Sequence, residues 1–136
     1  MKNTNKILSI TVLAFIIFWI CRSFYKSYQF KSGYKITVGQ VNAISKPGWK
    51  SSGDYVVRYE YSVSGIKYIG NNNYNFCDGA STDKLSLILI NKLFPVAYSV
   101  KDANQCGIII TQKDAAIFNY TIADSLLLYD SLLTCK

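Results

Sequence analysis

The sequence predicts an α+β fold in which a single N-terminal transmembrane helix precedes a small, mainly antiparallel β domain with one or two short helices. Residues Ile7 to Tyr25 form an almost unbroken apolar run, and Tyr55 to Val63 alternate apolar and polar side chains as a half-buried strand does. Asn-, Gly- and Pro-rich segments separate the other short apolar runs. We therefore predict a transmembrane anchor with basic flanks over residues 1–28, a stalk over 29–35 and one domain over 36–136.

The apolar run is long enough for a membrane-spanning helix, because 19 residues at about 1.5 Å each match a hydrocarbon core of about 30 Å. A cleaved signal peptide is the alternative, since a basic start followed by an apolar stretch is typical of both. The one small-x-small cleavage candidate, Cys21-Arg22-Ser23, is poor. This favours a retained signal-anchor, whereas cleavage would instead release a secreted binding protein.

Most of the net charge of +7 lies beside the apolar run. Residues 1–35 contain six cations and no acid, whereas residues 36–136 contain nine cations and eight acids. The domain is therefore nearly neutral, which argues against nucleic acid as a partner. The basic flanks suit the anionic headgroups of a lipid bilayer, which is the predicted partner. A protein partner stays open, and the sequence identifies neither it nor the oligomeric state. The cations on the two sides of the apolar run nearly balance, so charge alone does not fix the topology. The short N-terminal tail favours a single-pass protein whose domain is extracytoplasmic. The opposite topology stays open.

The sequence of the first half of the domain predicts three strands. The strand from Tyr34 to Ile44 changes parity, so we expect a β-bulge at Gly39-Gln40 that returns its apolar residues to one face. The alternating strand Tyr55 to Val63 follows, and the two-residue link Ser64-Gly65 predicts a tight antiparallel hairpin with Ile66 to Ile69. The tyrosines of these strands form either part of the core, which the periodicity favours, or an aromatic binding surface.

The second half predicts helices and two further strands. Asn and Gly over residues 70–81 indicate an irregular loop, after which Thr82 caps a helix from Asp83 to about Leu93. A second membrane span from Leu85 to Val100 is the rival interpretation, which Lys92 disfavours because a central charge is costly in lipid. The pattern of a strand then occurs twice, over Pro95 to Val100 and Gly107 to Thr111. An amphipathic segment, Asp124 to Cys135, predicts a helix that closes the domain.

The chain carries no motif for catalysis or for a cofactor. It has no His, the commonest general base near neutral pH and a common metal ligand, so hydrolases of the Ser-His or Cys-His kind are excluded. Glu60 is the sole Glu, and the seven Asp fall mostly in predicted turns and caps; a carboxylate enzyme would need two of them in one cleft. We predict no catalytic, cofactor-binding or metal-binding residues and a non-enzymatic interaction or structural module.

Four cysteines, at positions 21, 77, 106 and 135, lack the paired spacing of a zinc site. Cys77 and Cys106 are the best-placed pair for a disulfide bond, provided that the domain lies in an oxidising compartment. Independent, partly buried thiols are the alternative.

Several short patterns resemble a known family. They are Gly39-x-Val41, then Tyr55-x-Val57-x-Tyr59-x-Tyr61-x-Val63-x-Gly65-x-x-Tyr68, and finally Phe94-Pro95-Val96-x-Tyr98. After a single membrane helix, this order resembles the domain of unknown function family thirty-five ninety-two, small membrane-associated bacterial β domains with no established activity. Members often have Tyr-x-Pro-x-Asn-Pro in the last turn, whereas the segment Tyr98 to Gln105 of this chain lacks both prolines. The resemblance implies a membrane location and a β fold, and it implies no functional residues.

Overall fold

The structure is a computed structural model that describes residues 11–25, 33–46, 54–76 and 81–133. The chain divides into two compact units, Met1–Ser32 and Gly33–Lys136. In the first unit, helix α1 covers residues 11–25. The described residues of the second unit form a five-stranded sheet and three helices.

The predicted transmembrane helix is wrong for the part of the chain that the structure describes. Among those residues, no helix combines the length and the apolar character needed to span a bilayer. The described part of helix α1 covers 15 residues, 11–25.

The second unit is an α+β domain built on a curled antiparallel sheet, as the sequence predicts. The sheet has the strand order β3-β2-β1-β4-β5, and every neighbouring pair is antiparallel. Its strands are β1 Tyr34–Ser45, β2 Tyr55–Val63, β3 Ile66–Tyr74, β4 Leu93–Ser99 and β5 Cys106–Ile108. The helices are α2 Thr82–Leu89, α3 Gln112–Ile117 and α4 Asp124–Leu133.

The hairpin between β2 and β3 confirms the predicted tight turn. Ser64 and Gly65 both have positive φ, 52° and 83°, as in the type I′ turns whose twist matches that of the flanking strands. Strand β3 continues to Tyr74 rather than ending at Ile69, so the predicted loop is wrong for residues 70–74. The three asparagines 71–73 each pair with a residue of β2, and this ladder outweighs their local preference for turns.

The bulge in β1 lies about two residues after its predicted position. The register with β2 shifts between Val41 and Ala43, not at Gly39-Gln40. Val41 and Ile44 consequently face the core, whereas Val38 points outward and is 60% exposed. Gly39 also faces inward, where a Cβ would lie 2.6 Å from Cγ2 of Val96. The close approach of β4, which the sequence does not show, fixes this register.

Helix α2 is shorter than predicted because the chain turns to pair with β1. Ser81 caps the helix instead of the predicted Thr82, which is its first residue; Oγ of Ser81 accepts from the backbone N–H of Lys84 at 3.2 Å. Beyond the helix, Asn91 has a φ of 63° and its N–H donates to the carbonyl oxygen of Val41 at 2.8 Å. Because β4 starts at Leu93, the rival membrane span from Leu85 to Val100 is wrong.

The C-terminal part contains one helix that the sequence interpretation missed. Helix α3 begins after a capping box in which Thr111 and Asp114 each bond the other's backbone N–H. Helix α4 begins at Asp124 as predicted; its predicted end at Cys135 lies outside the described residues.

The core fills the concave side of the sheet and the helices that cover it. It combines the inward residues of β2 with apolar side chains of every other strand and of α2 and α4. Its largest fully buried side chains are Tyr59, Phe94, Leu85, Leu89, Ile108, Ile109, Ile110, Leu133, Val41, Val57 and Val96. The alternation of β2 therefore identified one wall of the core.

Candidate functional site

Tyr59 joins the two outermost strands of the sheet. Its fully buried ring lies in the middle of β2, and its hydroxyl donates to Oδ1 of Asn72 on β3 at 2.7 Å. The same hydroxyl oxygen lies 3.3 Å from Sγ of Cys106 on β5. The neighbouring Tyr61 donates to the carbonyl oxygen of Ala103, in the loop before β5. Because β3 and β5 are the two ends of the sheet order, these bonds help to close the curled sheet.

A second bridge runs from the end of β3 to the start of α3. The hydroxyl of Tyr74 lies 3.0 Å from the carbonyl oxygen of Ile108 and 2.9 Å from Oδ2 of Asp114. The same carboxylate oxygen accepts from the backbone N–H groups of Ile110 and Thr111 at 3.1 and 2.9 Å, and from the Thr111 hydroxyl at 2.9 Å. Asp114 therefore orders the chain that follows β5 and attaches it to β3.

Both bridging tyrosines are held in the neutral form. Burial raises the pKa of Tyr59 above its usual range, and the adjacent Cys106 adds to the rise. Burial also raises the pKa of Tyr74 well above its usual value, with the Asp114 carboxylate adding to it. Desolvation disfavours the phenolate in each case. These hydroxyls therefore act as hydrogen-bond donors rather than as bases near neutral pH.

We expect the domain to lose stability in alkali. Tyr59 and Tyr74 ionise only in the unfolded chain once the pH passes about 10, so their contribution is complete below that pH and is lost above it. The free energy of unfolding should fall by about 1.4 kcal/mol per pH unit for each tyrosine. Denaturant unfolding followed across this range measures the slope. A Tyr59→Phe variant should show a shallower slope, and an equal slope in both proteins would contradict the assignment.

The predicted disulfide bond stays a prediction. Cys106 is a half-buried free thiol beside the Tyr59 hydroxyl. Cys77, its predicted partner, lies outside the described residues, as does Cys135. Cys21 is exposed on α1.

Many of the described carboxylates have structural contacts. Glu60 pairs with Lys67 at 2.8 Å, and this ammonium lowers the pKa of the Glu60 carboxyl. Asp102 accepts from the backbone and side-chain nitrogens of Asn104 in a turn, and Asp130 accepts from the N–H of residue 112. Within the described ranges, no group of three or more Cys, Asp or Glu side chains is placed to hold a metal ion.

The β-strand tyrosines belong mainly to the core. Tyr55, Tyr59 and Tyr61 are buried, and Tyr68 is half-buried with its ring stacked on that of Tyr61 at a centroid distance of 5.7 Å. The strand periodicity therefore identified their role, and the alternative of a broad aromatic binding surface is wrong for these side chains.

The most conspicuous exposed surface belongs to α1. Six consecutive residues, 15–20, are each about half or more exposed, and Trp19 reaches 67%. Because a helix turns once every 3.6 residues, this run exposes apolar side chains around the whole circumference. Such a helix is typical of an apolar environment rather than of water. The large exposed side chains are Val12, Leu13, Phe15, Ile16, Ile17, Phe18, Trp19, Ile20, Phe24 and Tyr25.

Comparison with known proteins gives no match. No family model matches the chain, and neither a curated protein nor a solved structure matches it. The resemblance to family thirty-five ninety-two stays a prediction.

Proposed function

We propose that this protein is a non-enzymatic interaction or structural module that associates with a membrane surface through α1. The observation that supports this function is the exposure of ten large apolar side chains on that helix. Transfer of each from water to an apolar medium is favourable by about 1.5–3 kcal/mol. Even partial burial of the ten would therefore contribute on the order of 10 kcal/mol to association with lipid.

The distribution of charge supports an anionic bilayer as the partner. The six cations among residues 1–35 have no acid beside them in the sequence. Each basic residue near an anionic lipid surface adds about 1 kcal/mol of attraction. The nearly neutral remainder of the chain offers no comparable attraction for nucleic acid.

The domain itself supports a binding role rather than catalysis. Its buried hydroxyl groups bridge strands and stay neutral, and the described carboxylates of Glu60, Asp102, Asp114 and Asp130 stabilise turns, a helix start or an ion pair. These contacts give a rigid scaffold near the membrane. The expected activity is therefore the presentation of a surface to a partner.

Vesicle binding tests the proposal on the full-length chain. The protein has two Trp, so a Trp49→Phe variant leaves Trp19 on α1 as the only one. With vesicles of phosphatidylcholine and phosphatidylglycerol, we expect Trp19 emission to move to shorter wavelength and the protein to float with the vesicles. A Phe15→Ser/Phe18→Ser variant should bind at least tenfold more weakly, since it removes two apolar contacts of α1.

The matched control is Leu87→Ser, because Leu87 lies on α2 and is 85% exposed. This variant should bind as the parent protein does. The proposal would be contradicted if vesicles left the Trp19 emission of the Trp49→Phe protein unchanged and the protein did not float with them. An equal loss of binding in the Leu87→Ser variant would contradict the role of α1.

A further inference from the structure

One end of the sheet combines exposed apolar and basic side chains. We call it the basic end; it is formed by Lys35, Ile66, Val100 and Lys101. The backbone N–H of Val100 donates to the carbonyl oxygen of Gly33 at 3.1 Å. This bond places the end of β4, with Val100 and Lys101, directly beside the residues at which the chain begins β1.

The hairpin between β2 and β3 lies at the same end. The hydroxyl of Thr37 donates to the carbonyl oxygen of Ser62 at 3.2 Å. Strands β1 and β2 are antiparallel, so continuing from Ser62 leads toward the start of β1. The turn at residues 64–65 and the adjacent Ile66 therefore project at the basic end.

The exposure and charge of this end fit a lipid surface. Ile66 and Val100 are 60% and 58% exposed, and the Lys35 and Lys101 side chains are exposed beside them. Asp102, next to Lys101, accepts hydrogen bonds from Asn104 and keeps its negative charge. The two lysines outnumber this one carboxylate. Exposed apolar side chains flanked by lysines are typical of surfaces that enter the headgroup region of a bilayer.

We propose that the basic end is a second lipid-contact surface that binds anionic headgroups. In this arrangement Ile66 and Val100 enter the headgroup region, and Lys35 and Lys101 contact the headgroup phosphates. The inference rests on the proposed function, because α1 must first bring the chain to the bilayer. Gly33, where the second unit begins, follows Tyr25 by eight residues (33 − 25), so the start of β1 at the basic end is close to α1 in the sequence.

A second copy of the chain fits this surface less well. Two copies that met symmetrically through the basic end would bring Lys35 and Lys101 of both into one interface. Like charges placed together in an interface oppose association. Anionic lipid satisfies both the lysines and the apolar side chains at once.

Site-specific fluorescence on the full-length chain tests this inference. In a Trp19→Phe/Trp49→Phe background, Ile66→Trp reports on the basic end and Leu87→Trp, on α2, is the matched control. With vesicles of brominated phosphatidylcholine and phosphatidylglycerol, we expect quenching of the Ile66→Trp reporter but little quenching of the Leu87→Trp reporter. A Lys35→Gln/Lys101→Gln variant should bind anionic vesicles about fivefold more weakly for each lysine removed, and a Lys84→Gln/Lys92→Gln variant should lose less than about twofold.

The outcomes separate this inference from the proposed function. If the chain binds vesicles but both reporters are quenched equally, the second contact surface is wrong while the proposed function stands. If the chain does not bind vesicles, both are wrong. A change in Ile66→Trp emission that depends on protein concentration without vesicles would assign the basic end to a second copy and overturn the lipid assignment.

Discussion

Replacing Gly70 with alanine is expected to destabilise the domain by about 3 kcal/mol. A Cβ at this position would lie 2.4–2.5 Å from Cζ, Cε2 and Oη of Tyr59. The Tyr59 ring has no room to move, because it is fully buried and its hydroxyl is bonded to Asn72 on β3. Overpacking of a core typically costs about 1–3 kcal/mol, and a rigid neighbour places this substitution at the upper end. Urea unfolding of the variant and the parent measures the loss in free energy of unfolding, and equal m-values would show that the midpoint shift reports stability.

Gly33→Ala is the matched control for this prediction. A Cβ at Gly33 meets nothing within 4 Å, so the variant should stay within about 0.5 kcal/mol of the parent protein. A Tyr59→Leu substitution should reduce the cost of Gly70→Ala, because it removes the ring atoms that clash. Equal stability of the Gly70→Ala variant and the parent would show that Tyr59 does not lie over Gly70.

Local sequence signals identified the hairpin of β2 and β3, at one edge of the sheet. The alternation of β2 places its buried face correctly, because one side of that strand packs entirely on the core. The Ser64-Gly65 turn is equally local, since the backbone conformation of two residues fixes it. Both signals depend on neighbours in the sequence alone.

Long-range pairing determined the elements that the sequence interpretation misplaced. The extension of β3 through its asparagines needs the partner strand β2, and the position of the bulge in β1 depends on Val96 of β4 beside Gly39. The early end of α2 likewise depends on the bond between Asn91 and Val41. None of these contacts leaves a periodic pattern in the sequence.

The side-chain hydrogen bonds made by Tyr59 and Tyr74 could not be predicted from the sequence, with one exception nearby at Asp114. Tyr59 and Cys106 are 47 residues apart, and Tyr74 and Asp114 are 40 apart, so no spacing rule links either pair. The exception is Thr111-x-x-Asp114, whose spacing resembles the capping box of a helix start. The apolar run was interpreted as a membrane span, which is wrong for the described residues; they form helix α1 there.

Removing the Asp114 carboxylate is expected to cost about 2–4 kcal/mol. An Asp114→Ala variant leaves the backbone N–H groups of Ile110 and Thr111 without their acceptor and removes a partner of the Tyr74 hydroxyl. Each unsatisfied buried donor costs about 1–3 kcal/mol, and loss of the capping box adds to this. Because the carboxylate also attaches α3 to β3, we expect faster amide hydrogen exchange in α3 and at the end of β3 together.

Two variants separate this bridge from a general effect of removing charge. Asp114→Asn keeps one acceptor oxygen and should cost less than Asp114→Ala, since part of the bonding to the two N–H groups survives. Asp130→Ala removes a half-buried carboxylate that accepts from the N–H of Gln112, and it should cost about 0.5–1 kcal/mol. In a double-mutant cycle, Asp114→Ala and Tyr74→Phe should be less than additive by about 1 kcal/mol. Strict additivity would show that the two side chains stabilise the domain independently, and the attachment of α3 to β3 would then have to come from the apolar packing around them.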